Sequence, residues 1–537
     1  MRVRRLVPAV VVLLVLTPLT QVASAGLRQG QAIDGPSPNI LSLGGVALAF
    51  DATGGAVYLR TAGGVTHVFA ATVRGGVWSP PVQIDGGVAA AASEPVIAAS
   101  NGGRVAIAWV SGGTLYGAVR AAGSGGFTAP QAIAAASEGT SLSMGVSGTA
   151  YVSFTAPDGS GSDVLVARLD RHSTSFVPLS GALNASPQGM DGTGVPLHSH
   201  VTVSADATAL VAWGENGTDA RTHVLARRVF GMNESVVTFD LTAATLGADS
   251  PSVGIEFDSS YAWIAYRQSV AAAGGATQSR VLVRDLVGSQ LGPPLEVDSL
   301  GSTSAGGAVE PAIALNGTGY GLTCSTLQPG SAVIGSTTAS GQFGAGQQTN
   351  QGSDAADPHC VVALGSDDSG IVAWQSAAGA IVGRPYAAGA PGSGVLLSNA
   401  ALGSVDATNG LSAASDATGD AIVGYAQGPP TSRSIAIAEL LAPPGPFTDV
   451  TSGRIAAGRA VVLHWTKSRS VFGNPVSYSV LVDGRLAATT KVTRYTVTVS
   501  LAAGRHLWQA IAIDAAGEQR AGPVRTLVLA HAVRGHH

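Results

Sequence analysis

Charged residues, lysine and cysteine are scarce in this sequence. Charged residues make up 12% of the 537 positions, and the formal net charge is −4. Nucleic acids and anionic membrane surfaces are bound through clustered positive charge. The only two lysines are Lys467 and Lys491, and the arginines are scattered without forming a basic stripe. We therefore expect neither a nucleic acid nor an anionic membrane surface as a partner.

Long apolar runs are absent after the first 25 residues. Residues 1–25 combine three arginines, an apolar run from Leu6 to Leu19 and the small residues Ala23-Ser24-Ala25. This order is typical of a secretory signal peptide, and the run is shorter than the ~20 residues that span a bilayer. We expect cleavage after Ala25, no membrane span after cleavage, and a protein that is secreted, extracellular or in the cell envelope.

Cys324 and Cys360 are the only cysteines. In an oxidising compartment an isolated pair usually forms one structural disulfide bond. Two free buried thiols are the alternative. The 36-residue separation matches neither a metal-binding nor a redox C-x-x-C spacing, so the pair predicts a disulfide bond.

A repeated strand pattern dominates the chain. The apolar fraction is 45%, and valine, isoleucine and leucine alternate with small polar residues between glycine-rich turns, which predicts strands rather than helices. Six copies end in an aromatic residue, and two weaker copies lack one at the aligned position. The six are GRVAIAW (103–109), GTAYVSF (148–154), ATALVAW (207–213), SYAWIAY (260–266), DSGIVAW (368–374) and GDAIVGY (419–425), and the weaker two are GGAVYLR (54–60) and TGYGLTC (318–324).

A period of about 50 residues with room for four strands is that of a β-propeller blade. We predict an all-β protein with a closed propeller over residues 26–441, of eight repeats, or seven if one weak copy is an insertion. Because the aromatic residue recurs, we interpret Trp109, Trp213 and Trp374 as packing between blades rather than as ligand-stacking residues.

The N-terminal segment resembles an outermost strand without the rest of its blade. Residues 30–36 read GQAIDGP, similar to the outer-strand segments PVQIDGG (81–87) and PLEVDSL (294–300). The last repeat ends at SIAIAELL (434–441) without such a strand. We predict that residues 28–35 pair beside residues 434–441 and close the ring.

The repeat pattern ends at the proline-rich linker 442–446. About seven short strands follow within residues 447–530, which predicts an immunoglobulin-like β-sandwich, and residues 531–537 form a short tail. This segment resembles a fibronectin type III domain, with Trp465 on the second strand, Tyr478 at the start of the third and a turn at Asp514-Ala515-Ala516-Gly517. In that family the domain is mostly a spacer or a binding unit.

The repeats resemble exported bacterial β-propeller proteins over about residues 27–441. Two turns also resemble the Asp-box of sialidase-like propellers, Ser-x-Asp-x-Gly-x-Thr-Trp. They are 366–370 (SDDSG) and 415–419 (SDATG), in which the aromatic residue falls later and the threonine of the motif is missing. The resemblance implies a fold and no particular activity.

Ionisable residues near the starts of the predicted innermost strands are the candidate ligand-binding residues. His198 and His200 would share one strand face, but two histidines favour loop positions over a metal site. We expect no metal and no cofactor. The candidates are Glu94, His198, His200, Glu256, Glu310 and His359.

These features favour a non-catalytic protein that binds an extracellular glycan or protein. No G-x-S-x-G elbow, P-loop or H-E-x-x-H motif is present. The alternative is a glycoside hydrolase or lyase in which Glu94, Glu256 and Glu310 converge at the propeller mouth. A third interpretation is a purely structural envelope protein with no ligand.

Overall fold

The computed structural model describes residues 26–530 with interruptions. The predicted signal peptide (1–25) and tail (531–537) lie outside the described residues. The interruptions are residues 159–160, 185–198, 243–245, 257, 272–274, 276, 299–306, 309–310, 329–331, 340, 351–354, 388, 452, 457–458, 471, 473–474, 499 and 516.

Eight antiparallel sheets follow one another along the chain after an initial strand, β1 (Gly26–Ser37). The first sheet contains β2 (Ile40–Leu48), β3 (Thr53–Ala62), β4 (Val65–Arg74), β5 (Val77–Trp78) and β6 (Val82–Gln83). The second contains β7 (Ala92–Ser100), β8 (Arg104–Ser111), β9 (Thr114–Arg120) and β10 (Gln131–Ala135). The third contains β11 (Glu138–Met144), β12 (Ala150–Asp158), β13 (Gly161–Leu169) and β14 (Phe176–Pro178).

The next three sheets repeat this order, and the fifth and sixth also contain short additional strands. The fourth contains β15 (His200–Val203), β16 (Thr208–Asn216), β17 (Thr222–Phe230) and β18 (Asn233–Asp240). The fifth contains β19 (Ala248–Ile255), β20 (Tyr261–Ala271), β21 (Thr277–Val287), β22 (Gln290–Leu291) and β23 (Leu295–Glu296). The sixth contains β24 (Gly307–Ala308), β25 (Ala312–Leu315), β26 (Gly321–Gln328), β27 (Ala332–Ala339), β28 (Gln342–Phe343) and β29 (Gln347–Gln348).

The last two sheets complete the series. The seventh contains β30 (Ala355–Leu364), β31 (Ser369–Ser376), β32 (Ile381–Ala387), β33 (Ala390–Pro391) and β34 (Val395–Leu396). The eighth contains β35 (Leu411–Ser415), β36 (Ala421–Gln427), β37 (Arg433–Leu441) and the initial strand β1. The only helices in the described part of the chain are three short 3-10 turns, at Asn101–Gly103, Ala400–Leu402 and Ala407–Asn409.

The sheets contact one another in a cyclic order. The first strand of each sheet contacts the first strand of the next, with β25 taking this place in the sixth sheet, and β35 of the eighth sheet contacts β2 of the first. The second strand of each sheet is therefore covered on both faces, and β8 is buried along its whole length. A strand covered on both faces reads as a continuous apolar run, which explains sequences such as VAIAWV. The architecture is a β-propeller.

The recurring aromatic residues lie between neighbouring sheets, as the sequence predicts. The six side chains are at most 2% exposed, and Trp109, Trp213 and Trp374 are among them. The backbone register adds Tyr58 in the first sheet, six residues after Ala52, so the alignment of GGAVYLR without an aromatic residue is wrong. In the sixth sheet Cys324 pairs with Ala312, one position before the aromatic place, so the aligned cysteine is also shifted by one residue.

The initial strand pairs with the end of the propeller segment. In β1, Arg28 is opposite Glu439 and Ala32 is opposite Ala436, which is the pairing expected from GQAIDGP. Asp34 of the same strand accepts hydrogen bonds from the Tyr58 hydroxyl (2.6 Å) and from Arg60 (3.0 Å) in the first sheet. The strand β1 therefore connects the eighth sheet to the first.

Residues after 446 form a separate set of strands around one hydrophobic core. Trp465, Tyr478 and Trp508 lie in this core. One sheet has the order β38-β45-β43-β40-β41 with β44 beside β43, and the other pairs β39 with β42. The strands are β38 (Gly453–Ile455), β39 (Val462–His464), β40 (Ser477–Val482), β41 (Arg485–Thr490), β42 (Arg494–Thr496), β43 (Gly504–Ile513), β44 (Gln519–Ala521) and β45 (Arg525–Leu529).

This C-terminal unit, residues 447–530, contacts the propeller. Phe472, which is 4% exposed, packs in the hydrophobic cluster that also contains Tyr58, Val73 and Leu441. Burying a side chain of this size contributes roughly 1.5–3 kcal/mol. Phe472 is therefore an anchor of the C-terminal unit on the first and eighth sheets.

Candidate functional cleft

Four of the six candidate residues can be located, and the structure does not gather them at one place. His198 and Glu310 lie outside the described residues. Glu94, His200, Glu256 and His359 belong to four different sheets or their hairpins. Their surroundings show which of them are used in holding sheets together.

Glu94 connects the second sheet to the third. Its Oε2 accepts a hydrogen bond from the Thr140 N–H (3.2 Å), and its carbonyl oxygen accepts one from the Thr140 hydroxyl (2.8 Å). Glu94 also has a positive φ of 47°, at an irregularity in the pairing of β7 with β8. These contacts describe a structural connection between sheets.

His200 occupies a place that serine occupies in other sheets. Its Nδ1 accepts the N–H of Val253 in the next sheet (3.3 Å). Ser141, Ser252 and Ser412 lie at the same register position, opposite the residue that precedes the aromatic one, and each accepts an N–H from the next sheet. His200 is therefore a variant of a recurring contact between sheets.

The acceptor role of His200 requires the neutral ring. With Nδ1 accepting a hydrogen bond, the proton lies on Nε2. Burial lowers the pKa of His200 to about 4. His200 is therefore neutral at physiological pH, as the hydrogen bond from Val253 demands.

His359 lies beside the cysteine pair. It is exposed on β30 and directly precedes Cys360. Cys360 forms a disulfide bond with Cys324, which confirms the predicted bridge. The bridge connects the sixth sheet to the seventh.

Glu256 lies at the other end of the innermost strand from where the sequence placed it. It follows β19 directly, and its N–H bonds to the carbonyl of Tyr261 across the hairpin. Glu94 lies before the middle of the equivalent strand, so the two positions differ by about six residues, or roughly 20 Å at about 3.3 Å per residue. Glu94 and Glu256 therefore do not lie together at strand starts, where the hydrolase alternative would need them to converge.

A cleft of about 450 Å³ lies beside Glu256, between the fifth and sixth sheets. We call it the Glu256 cleft. Three of its polar side chains, those of Glu256, Asp285 and Gln342, make no hydrogen bond with the described residues. The full lining is Glu256, Tyr261, Asp285, Thr318, Gly319, Gly341 and Gln342.

Glu256 departs from the pattern of the equivalent residues in other sheets. Ser204, Asn316 and Asp416 lie at the same hairpin position, and their side chains accept hydrogen bonds from their own turns. The Glu256 carboxylate does not do so in the described part of the chain. Its oxygens are thus available to a ligand, whereas Ser204, Asn316 and Asp416 use theirs within their own hairpins.

Glycine makes room for the Glu256 carboxylate. Gly319 has a φ of 80°, and a Cβ at this position would lie 2.5 Å from Glu256 Oε1. Only a residue without a side chain fits there without strain or displacement. The opening of the cleft therefore depends on Gly319.

Tyr261 forms a rigid wall of the cleft. Its hydroxyl accepts a hydrogen bond from Trp263 Nε1 (2.6 Å) and donates one to the Gly341 carbonyl (3.2 Å). The Trp263 ring packs edge-to-face on Phe343 with centroids 5.0 Å apart. These contacts fix the ring of Tyr261 and leave the carboxylates as the adaptable groups.

The cleft is electrically negative. Burial, and then the nearby Asp258 carboxylate, raise the pKa of Glu256. No basic side chain is among the lining residues. The arrangement suits a neutral or cationic ligand with hydrogen-bond donors, and it opposes an anionic one.

No metal site or membrane-spanning helix was found among residues that the structure describes. Within these residues, no group of three or more histidine, cysteine, aspartate or glutamate side chains is arranged to hold a metal ion. No described helix has the length and apolar character needed to cross a membrane.

Comparisons with known proteins give only distant structural likenesses. No protein-family model matches the chain, and no curated protein matches it. A fungal lectin from Aleuria aurantia, described as a six-bladed β-propeller, is 14% identical with a TM-score of 0.34, covering 57% of this chain and 94% of the lectin.

Two carbohydrate-active enzymes are similarly distant. An α-L-arabinanase from Penicillium chrysogenum is 11% identical with a TM-score of 0.34, covering 56% of this chain and 92% of the enzyme. A Hadza microbial sialidase is 11% identical with a TM-score of 0.36, covering 77% of this chain and 68% of the enzyme. We therefore base the functional proposal on this chain's own residues.

Proposed function

We propose that this is an exported protein that binds a neutral extracellular glycan in the Glu256 cleft. The observation that carries the proposal is the set of unused polar side chains of Glu256, Asp285 and Gln342 in one cleft. Carboxylates accept hydrogen bonds from hydroxyl groups, and an amide both donates and accepts. Such groups match the hydroxyls of a sugar.

The shape and charge of the cleft narrow the ligand class. A volume of about 450 Å³ is in the range of pockets for small molecules. Glu256 and Asp285, without a basic neighbour in the lining, oppose sialic acid and other anionic sugars. These features favour a neutral glycan over a protein partner.

The proposal includes a closed, eight-bladed propeller over residues 26–441. The cyclic order of sheet contacts and the pairing of β1 with β37 support closure. Closure removes the free sheet edge that the eighth sheet would otherwise expose. It also fixes the relative positions of the fifth and sixth sheets, which form the cleft.

We also propose that residues 447–530 form a fibronectin type III-like sandwich behind a short linker at 442–446. Two sheets around the core of Trp465, Tyr478 and Trp508 support it. Its role would be that of a spacer that presents the propeller.

Export is supported by two features. The N-terminal 25 residues have the composition of a signal peptide. The disulfide bond between Cys324 and Cys360 is typical of proteins in oxidising compartments. The expected location is extracellular or in the cell envelope.

A glycoside hydrolase is the second candidate. Glu256 and Asp285 line one cleft, and the raised pKa of Glu256 suits a general acid while Asp285 would be the second carboxylate. The two candidates share a ligand class and differ in whether product forms.

The test is a glycan array with neutral and acidic polysaccharides, with product analysis of every hit. We expect binding to a neutral glycan without product, and affinity at least tenfold lower for E256Q and for D285N. The matched control is E94Q, because Glu94 has the same chemistry but lies outside the cleft; its affinity should equal that of the wild type.

Each other outcome has a definite meaning. Product that disappears in E256Q would establish the hydrolase. Binding that all three variants retain equally would remove the Glu256 cleft as the site. A preference for acidic glycans would contradict the charge argument.

A further inference from the structure

A second cleft, of about 390 Å³, lies beside the second sheet. We call it the Tyr116 cleft. It is bounded by the loop 86–90 before β7, by the hairpin between β8 and β9, and by Ala129 and Pro130 before β10. Its volume is in the range of pockets that hold small molecules.

The Tyr116 cleft lies at the opposite end of the propeller from the Glu256 cleft. Successive hairpins of an antiparallel sheet lie at alternate ends of its strands. The first hairpins of neighbouring sheets contact each other, for example where Asp51 Oδ2 accepts the Gly102 N–H (2.7 Å). The Glu256 cleft is built on first and third hairpins, whereas the Tyr116 cleft is built on a second hairpin. A ligand in one cleft therefore leaves the other open.

Tyr116 is an exception among the residues at its place in the repeat. It lies on β9 opposite Trp109, the recurring aromatic residue of β8. The other seven sheets have a side chain without a polar group at this place. These residues are Phe69, Leu165, Leu225, Leu282, Ile334, Val382 and Ala436. Packing between sheets therefore does not require the hydroxyl group of Tyr116.

The polar groups of the cleft are available to a ligand. The hydroxyls of Tyr116 and Thr114 make no hydrogen bond with the described residues. A hydroxyl group can both donate and accept a hydrogen bond. No charged side chain is among the lining residues that the structure describes, so a charged ligand would have no partner of opposite sign. The lining suits an uncharged ligand that carries hydroxyl groups.

The ring of Tyr116 is held in place by the sheet behind it. It stacks on the fully buried Trp109, with ring centroids 5.8 Å apart and planes 16° apart. A pyranose ring has C–H groups on its faces and hydroxyl groups at its edge. An aromatic side chain with a polar end matches both parts of such a ring.

The loop 86–90 is fixed at both of its ends. At its start, the Val88 N–H donates to the Asp85 carbonyl (3.0 Å), and the buried Asp85 carboxylate accepts a hydrogen bond from Gln83 (3.0 Å). At its end, the Ala90 carbonyl accepts the Ser111 hydroxyl (2.8 Å). The cleft is therefore preformed, which lowers the entropy cost of binding.

We propose that the Tyr116 cleft is a second binding site, for a neutral sugar ring that packs on Tyr116 and bonds to the hydroxyls of Tyr116 and Thr114. The ligand class follows from this cleft's own lining. The inference therefore goes beyond the Glu256 cleft and does not depend on it.

The test is saturation-transfer NMR with the methyl glycosides of glucose, galactose, mannose and N-acetylglucosamine as probes. The starting protein is the full chain with E256Q and D285N, in which the Glu256 cleft is disabled. We expect at least one probe to bind it. Adding A89W should lower the affinity at least tenfold, because Ala89 is an exposed lining residue and an indole ring there would fill the cleft.

Two substitutions of Tyr116 separate the ring from its hydroxyl. Adding Y116L should lower the affinity at least tenfold, since the aromatic surface is lost. Adding Y116F should lower it about threefold, the loss expected for one hydrogen bond between neutral groups. The control is V492W, which adds the same indole ring at an exposed position of the C-terminal unit and should leave the affinity unchanged.

The outcomes distinguish the two clefts. A probe that binds the wild type but not E256Q/D285N would overturn the second site and leave the Glu256 cleft supported. Equal binding by the A89W and V492W proteins would also overturn it, as would a lack of binding by every probe. If A89W alone removes all binding from the otherwise unchanged chain, the Tyr116 cleft is supported and the Glu256 cleft fails. If Y116L does not fold, A89W gives the same test without altering a buried side chain.

Discussion

At the scale of single residues, the exceptions within a repeat carry more information than the repeat itself. Serine supplies the contact between innermost strands in three sheets, and His200 replaces it in the fourth. The same hydrogen bond survives, but the acceptor can now be protonated. Acid sensitivity is thus introduced at one of the sheet contacts.

We expect His200→Ser to remove a part of the protein's acid sensitivity. The pKa of His200 in the folded chain, about 4, is below the ~6.5 of an exposed histidine, so the unfolded chain binds the proton first as the pH falls. The stability that the neutral ring provides is present above about pH 6.5 and is lost by about pH 4. Because His200 is partly exposed, we expect on the order of 1–2 kcal/mol.

The measurement is the free energy of unfolding in urea at pH 7 and at pH 4.5 for both proteins. The serine variant should match the wild type at pH 7, since serine makes this contact elsewhere, and exceed it at pH 4.5. An equal loss in both proteins would show that His200 is not the sensitive group.

The residue scale also shows what the sequence could and could not reveal about the site. Glu256 was found as a candidate, but it was placed near the start of the innermost strand and lies after its end. The sequence alignment did not determine where the hairpin between β19 and β20 begins. Asp285 and Gln342 were missed. Asp285 lies on β21 of the same sheet as Glu256, and Gln342 joins them only through the packing of the sixth sheet against the fifth. The available signal was that Glu256 has a long acidic side chain at a hairpin position where other sheets have a shorter residue, such as Ala49, Gly145 or Ser204.

At the scale of elements, β1 connects the eighth sheet to the first. Leu27 and Ile33 pack against two hydrophobic clusters, and Asp34 binds Tyr58 and Arg60. The sequence predicted this strand because its outer-strand pattern was complete and its blade was missing. The pattern could be recognised because similar outer-strand segments recur at residues 81–87 and 294–300.

Removing residues 26–36 should lower the stability of the entire propeller. The deletion exposes the edge of β37, removes two partly buried apolar side chains and leaves the Tyr58 hydroxyl without its acceptor, at a combined cost of at least about 3 kcal/mol. Thermal unfolding followed by circular dichroism gives the change. A deletion of residues 531–537 is the control, and a melting temperature unchanged by the longer deletion would refute the role of β1.

At the scale of the whole molecule, the cyclic order of contacts makes each sheet dependent on two neighbours. Trp213, in the fourth sheet, is fully buried. Its replacement by alanine should cost about 3–5 kcal/mol. Because the sheets contact one another in a cyclic order, we expect W213A to destabilise the eighth sheet as well as the fourth.

Hydrogen exchange measured by mass spectrometry tests this transmission. We expect W213A to speed exchange in peptides from β36 as well as from β16. The control V177A, at a side chain that is 52% exposed, should leave both unchanged. Faster exchange confined to the fourth sheet would mean that the sheets unfold independently.

The pairing of β1 with β37 has a consequence for biosynthesis. Arg28 and Glu439 form an ion pair across 411 positions of sequence. At about 5–20 residues per second, the ribosome makes the partner of the first strand roughly 20–80 s after the strand itself. Until then β1 has no partner strand, and the eighth sheet lacks its edge strand. We expect that a cell making this chain must protect both from aggregation until β37 has been synthesised.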